Sequence, residues 1–367
     1  MSDSHASVEA AIKAFAKGEI VVVTDDDDRE NEGDLFVAAS LCTPEKMAFI
    51  IRNTSGIVCA PLGGDLARRL HLDPMVAEND APLGTAFTVS VDVRHGLTTG
   101  ISAEERCNTV RGLANDNSGA ADFVRPGHVF PLVAKQGGVL MRSGHTEACV
   151  DLCRLASLPA VGVLAELMND DGSVMRGPEV AAFAQKHNLV QLSIAELIAY
   201  RQIRDKLVER VGEFELVSEI GPLKGYAYIT PFDRVHHMAF VYGDLARGRE
   251  VPARLHRADV IGDVFGGAKT IHAALQRFQA AGRGVIVYLR DGTAGVPVAE
   301  IPHGDTGTEA ARSRQWREVG LGAQILKDLG ITSIRLLTST KMTYVGLAGF
   351  GIEIASTELM EDRAGRD

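Results

Sequence analysis

Cysteine is scarce in this 367-residue chain and absent from more than half of it. Cys42, Cys59, Cys107, Cys149 and Cys153 are the five, and no thiol follows residue 153. An odd number in so long a chain excludes a disulfide framework and fits a reducing compartment, so a cytoplasmic location is expected. Cys149 and Cys153 lie one helical turn apart among apolar neighbours and read as core packing rather than metal ligands. Long apolar runs are lacking too: none approaches the ~20 residues of a membrane span. The opening Met-Ser-Asp-Ser-His is polar and acidic, unlike a signal peptide. Basic charge is in deficit, with 38 Lys and Arg against 48 Asp and Glu and a net charge of −10. With no basic stripe to offset that balance, a nucleic-acid partner is excluded. What remains is 46% hydrophobic and 23% charged, an ordinary globular composition. Its length predicts two domains.

The most informative segment is Asp25 to Asp34, where seven carboxylates surround one arginine directly after the apolar run Glu19 to Thr24. Like charges this dense repel one another and resist desolvation, so packing gains nothing from them. Hard divalent cations such as Mg²⁺ or Mn²⁺ would compensate them, with Arg29 facing an anionic substrate. The competing reading is a solvated acidic loop. The apolar segment Leu35 to Ala39 on the far side fixes the run at a strand end and favours a site.

Val8, Ala11, Ile12 and Phe15 recur at helical spacing and Gly18 supplies a C-cap, so an amphipathic helix opens the chain. Thr43-Pro44 starts a second helix as N-cap and first helical residue. Val161 to Met168 reads as a strand, and Asn169 to Gly172 as its turn. Ser193-Ile-Ala-Glu196 is a capping box for a helix running through Tyr200 toward Arg210. The polar stretch Arg201 to Glu213 then reads as helix tail or linker. Beyond it, strands at Gly284–Leu289, Ile334–Thr338 and Gly351–Ile354, with a helix ending at Leu329-Gly330, predict a second α/β domain. No repeat relates the halves.

Four further segments carry chemistry. Arg125-Pro-Gly-His-Val-Phe-Pro131 holds His128 in a rigid, non-helical context. Arg142-Ser-Gly-His-Thr-Glu147 precedes a helical run from Ala148 to Ala156. Free backbone N–H groups there, with Arg142, make a phosphate seat at which His145 could ligate a metal or move a proton. Leu97 to Ser102 offers small hydroxyl residues around a glycine. Glu166 is an acid in an otherwise apolar strand, where burial would raise its pKa for general acid/base work; pairing with an arginine is the alternative. Together these predict a Mg²⁺-dependent enzyme acting on a phosphorylated, oxygen-rich small molecule.

In this order the motifs resemble 3,4-dihydroxy-2-butanone 4-phosphate synthase of riboflavin biosynthesis. The matching segments are Asp28–Asp34, Ser55–Cys59, Phe87–Asp92, Thr98–Ala103, Arg125–Pro131, Arg142–Glu147 and the Glu166 strand. The resemblance implies an α+β synthase domain over 1–205 that converts ribulose 5-phosphate to formate and a four-carbon phosphate. It implies Glu30 and His145 as ligands of a divalent metal pair, Mg²⁺ or Mn²⁺. Arg29, Glu30, Glu32 and Asp34 would line the substrate, while Arg142, Ser143, Gly144, His145 and Thr146 would hold its phosphate end. His128 and Glu166, with Glu32 and Asp34, would carry catalysis, and Cys59 would stand near the site. A homodimer with residues of both subunits near each site is also implied. Glu105 and Cys107 depart from the family's usual aspartate and small residue.

After a linker at 206–212, residues 213–367 resemble GTP cyclohydrolase II, through Arg254-Leu-His256, Gly262–Gly266, Val285–Leu289, Gly322–Leu326 and Leu336–Thr338. That family holds zinc with three cysteines; here Asp259, Thr270 and His272 stand at those positions. Its triphosphate signature is replaced by Asp291-Gly-Thr-Ala294, its asparagine pair by Ser339-Thr340 and its catalytic aspartate by Gln315, while Arg317 is kept. The expectation is a second α/β domain without zinc and without GTP hydrolysis, kept for support of the synthase dimer or for binding a riboflavin-pathway protein or a nucleotide. The alternatives are a bifunctional enzyme that also hydrolyses GTP, a changed enzyme using Asp259 and His272 with another metal, and a pathway scaffold or regulatory protein.

Overall fold

The computed structural model describes residues 3–25, 31–231, 235–245, 248–290, 320–339 and 352–360. The chain divides into two compact units, Met1–Tyr200 and Arg201–Asp367. Both are mixed α/β, as the sequence predicts.

In the first unit, helix α1 (Asp3–Ala16) is followed by β1 (Val21–Thr24) and β2 (Gly33–Ala38). Gly18 takes φ +73° just past α1, the left-handed C-cap expected of it. Thr43 caps α2 (Pro44–Asn53) by accepting from the Lys46 amide at 3.4 Å. Then come β3 (Cys59–Gly63), α3 (Gly64–Arg69), β4 (Val91–Val93), α4 (Ala103–Leu113), β5 (Phe123–Ala134) and α5 (His145–Leu155). Strand β6 (Gly162–Glu166), α6 (Pro178–Lys186), β7 (Val190–Ser193) and α7 (Ile194–Arg204) complete it. The strands form a mixed sheet in the order β4-β5-β3-β6-β2-β1-β7. Every residue of β2 is buried, and Val22, Leu35, Val37, Val163 and Ala165 form the centre of its core with Met47, Ile50 and Val110. Cys149 and Cys153 are buried on α5, as core packing requires. The Arg125–Pro131 segment differs from expectation: it lies within β5, whose pairing with β4 is irregular at Val91/Asp92.

The capping box forms, with the Ser193 amide donating to Glu196 at 2.9 Å and the Glu196 amide donating to Ser193 at 3.2 Å. Helix α7 nevertheless stops at Arg204, and β8 begins at Glu209. The stretch expected to be helix tail and linker through residue 212 therefore contains the start of a strand. Its pairing with β9 is irregular between Arg210 and Gly212, and its polarity gives no strand signal in the sequence.

The second unit contains β8 (Glu209–Ser218), β9 (Gly221–Ile229), β10 (His237–Gly243), β11 (Val251–Arg257), α8 (Lys269–Ala281), β12 (Arg283–Leu289), β13 (Ser333–Thr338) and β14 (Glu353–Leu359). A helix over 320–328 precedes Gly330. Sheet order is β14-β13-β11-β12-β10-β9-β8, parallel from β14 to β12 and antiparallel from there to β8. Phe278 of α8 packs over the sheet with Ile286 and Leu337.

Candidate active site

Strands β2 and β6 lie antiparallel with Asp34 directly opposite Glu166. Two carboxylates in register on one face of a sheet repel each other, so this pair is a cost to the fold. His145 stands in the first turn of α5, only 8% exposed, with its Nε2 4.0 Å from Asp34 Oδ1 and its ring edge-on to Phe36. Asp34, Glu166, His145, Glu32, Arg142, Thr146 and Cys59 line one cavity of about 140 Å³, with an apolar wall that includes Phe87 and Leu132.

Each lining group is held from behind. The Ser55 hydroxyl donates to Glu166 Oε2 at 2.7 Å and the Ser55 amide to the Glu166 carbonyl at 2.8 Å. Glu166 is the last residue of β6 and only partly buried, so the burial expected of it inside an apolar strand is not found. Glu32 accepts from Arg176 at 3.3 Å. Arg142 donates to Glu147 at 2.8 Å and to the Leu83 carbonyl at 3.1 Å. Burial pushes the Glu147 carboxyl up, against the pull of Arg142. Burial, with the nearby Glu166 and Asp34 charges, pushes the Cys59 thiol up, which keeps it protonated. Gly144 is the N-cap of α5, so the amides of that helix start beside Arg142, as the phosphate seat requires.

Three carboxylates and an imidazole around a polar cavity suit a hard divalent cation. Among the described residues no three such side chains converge into a finished coordination set. Arg29 and Glu30, with Asp26 to Asp28, lie outside the described residues.

His128 is not part of this cavity. It sits on β5 with Nδ1 2.7 Å from Asp92 Oδ2, while its amide donates to Asp92 Oδ1 at 2.9 Å. Asp92 is buried and the His128 side chain is 41% exposed. Gly100 closes over the pair: a Cβ there would lie 2.1 Å from Asp92 Oδ2. The Leu97–Ser102 loop, whose hydroxyl residues suit phosphate or sugar hydroxyls, packs through Gly100 against Asp92 and His128, and its Thr98 donates to Glu105 at 2.8 Å.

Residues 9–200 match the family model for 3,4-dihydroxy-2-butanone 4-phosphate synthase. The chain belongs to that synthase family. Residues 209–358 match the model for GTP cyclohydrolase II. A bifunctional riboflavin biosynthesis protein of Arabidopsis thaliana, RIBA 1, chloroplastic, is 45% identical over 367 residues, covering 95% of this chain and 68% of that one. Among solved structures, RibBX from A. baumannii, described as a two-domain synthase, superposes with a TM-score of 0.78 at 33% identity over 96% of this chain and 98% of that one. A synthase in complex with two magnesium ions gives 0.53 at 45% identity, covering 53% of this chain and 96% of that one. In the synthase-family unit, Glu32, Asp34, Arg142, His145, Thr146 and Glu166 line one cavity; Ser143 and Gly144 form the approach to α5 without lining it. Thr85, which also lines it, and Arg176, behind Glu32, carry no local signal in the sequence.

In the GTP cyclohydrolase II-family unit, the Asp259 carboxylate accepts from the Gly262 amide at 3.1 Å. His272 pairs through Nδ1 with Glu219 at 2.6 Å. Both Thr270 and His272 fall in the first turn of α8. Nearby, Asp263 accepts from His256 at 2.8 Å and from the Tyr288 hydroxyl at 2.7 Å. Arg254 donates to the other ring nitrogen of His256 at 3.2 Å. Desolvation holds the His256 pKa below its usual value despite Asp263, which fits a neutral ring donating to that carboxylate. Asp291 to Ala294, Gln315, Arg317 and Thr340 lie outside the described residues.

Proposed function

We propose that the first unit converts D-ribulose 5-phosphate to 3,4-dihydroxy-2-butanone 4-phosphate and formate. The observation that carries this reading is the single cavity in which an in-register carboxylate pair, His145 and the N-terminus of α5 meet. Arg142, Thr146 and the α5 amides bind the phosphate end, and Gly144 lets the chain approach it. Glu32 and Asp34 orient the sugar hydroxyls. Glu166, steadied by Ser55, exchanges a proton with the carbon chain as the enediol forms and water leaves. His145 and Glu30 would hold Mg²⁺ or Mn²⁺, two ions per site, which would polarise the ketone and hydroxyl oxygens of the sugar. His128, exposed outside its own chain's cavity, suits a residue lent to a partner's site, so the working form is a homodimer.

The second unit, in this reading, hydrolyses no GTP by zinc chemistry. The zinc of the GTP cyclohydrolase II family, as the resemblance implies, is held by three thiolates, and the unit has no cysteine. Asp259 is engaged by its own turn and His272 by Glu219. A bifunctional enzyme is the alternative, favoured by the similarity to bifunctional RIBA 1. A paired assay on the purified full chain separates the two: formate release from ribulose 5-phosphate with Mg²⁺, and from GTP with Zn²⁺ and Mg²⁺. Release from the sugar phosphate alone is expected. Release from GTP would overturn the reading of the second unit, and inactivity of folded protein on the sugar phosphate would overturn that of the first.

A further inference from the structure

Behind Glu166, on which the proposed reaction relies, the first unit holds one buried cationic side chain outside the cavity. Arg106 on α4 is 6% exposed. Its Nη1 donates to the Gly56 carbonyl at 2.8 Å, which fixes the turn whose preceding residue, Ser55, holds Glu166. That turn needs fixing, because Gly56 adopts φ +74° and Ser55 is exposed. Helix α4 also packs on β4, the strand that carries Asp92, and Asp92 holds both the backbone and the ring of His128. Arg106 Nε is buried with no hydrogen-bond partner. A buried guanidinium so incompletely satisfied is a costly way to fill core space; an apolar residue would pack there at less cost. Stability does not account for it.

We propose that Arg106 is a positioning residue for the synthase reaction, aligning Glu166 through the Ser55–Gly56 turn. It touches neither the cavity nor the reacting atoms. Its contribution is to limit the freedom of a side chain that must act on the substrate, for which small misplacements cost rate rather than binding. The inference rests on the synthase reading above.

The test compares wild type, R106K, R106M and S55A by steady-state formate release from ribulose 5-phosphate with Mg²⁺, alongside thermal unfolding. Expected are kcat losses of roughly tenfold or more in R106M and S55A, the scale of one hydrogen bond to a charged group, with KM within about threefold. R106K, which keeps the charge, should recover part of the R106M loss. Folded R106M with wild-type kcat would overturn the proposal, as would a loss confined to KM. Should R106M fail to fold, S55A decides at an exposed position, where unchanged kcat refutes the relay. Wild type lacking activity would instead remove the synthase reading itself.

Discussion

Gly144 has no room for a side chain. A Cβ there would lie 2.2 Å from Arg142 Nη1 and 2.8 Å from Glu147 Oε2, so G144A must part the ion pair that sets the guanidinium at the cavity wall. Because that guanidinium is read as binding phosphate, the substitution should raise KM for ribulose 5-phosphate by about tenfold or more and change kcat less, in steady-state assays. Cys59 makes a second residue-scale prediction. Its thiol is buried at the cavity beside two carboxylates that oppose ionisation. Alkylation of Cys59 by iodoacetamide at pH 8, followed by mass spectrometry, should therefore be far slower than that of a free thiol, whose pKa is ~8.5. Rapid labelling would show a thiolate and reopen a nucleophilic role.

At the scale of the element, α4 begins with a carboxylate cluster of hydrogen bonds. Glu105 accepts from the Thr98 amide at 2.7 Å, from the Thr98 hydroxyl and from the Ser102 hydroxyl at 2.9 Å. The Thr98 amide and hydroxyl pull its pKa down to about 2. A folded-state pKa below the unfolded one means the unfolded chain binds the proton more readily. The contribution of Glu105 is then present above the unfolded pKa of ~4.3 and lost as pH falls toward 2. Thermal unfolding between pH 5 and 2 should fall less steeply in E105Q than in wild type. Since this loop packs on Asp92 and His128 through Gly100, E105Q should also loosen that pair.

For the whole molecule, two seven-stranded sheets in two units share one chain. A chelator such as EDTA should abolish formate release from ribulose 5-phosphate, and added Mg²⁺ or Mn²⁺ should restore it, because the cavity concentrates carboxylates that need a cation. Zn²⁺ should copurify at well below one equivalent by elemental analysis of the full chain, since its second half offers no thiolate. Among the described residues no helix is long and apolar enough to cross a membrane.

The sequence alone determined the parts whose causes are local. Helix caps at Thr43, Ser193 and Gly18, the β1 and β2 strands around the acidic run, and the glycine before α5 each follow from the conformational preferences of a few neighbouring residues. The motif order also named the synthase residues, because a site built on strand ends and a helix start leaves compact signatures. The β8–β9–β10 meander was hidden because its first strand, Glu209–Ser218, is mostly exposed and polar, so no hydrophobic period marks it. Only tertiary structure decided which carboxylates face each other, since the Asp34–Glu166 register is set by pairing across more than a hundred residues. It also separated His128 from the cavity, gave it Asp92 as a partner, and placed Arg106 against the Gly56 carbonyl. Those choices depend on how distant strands align and what their packing buries, which no local stretch of sequence encodes.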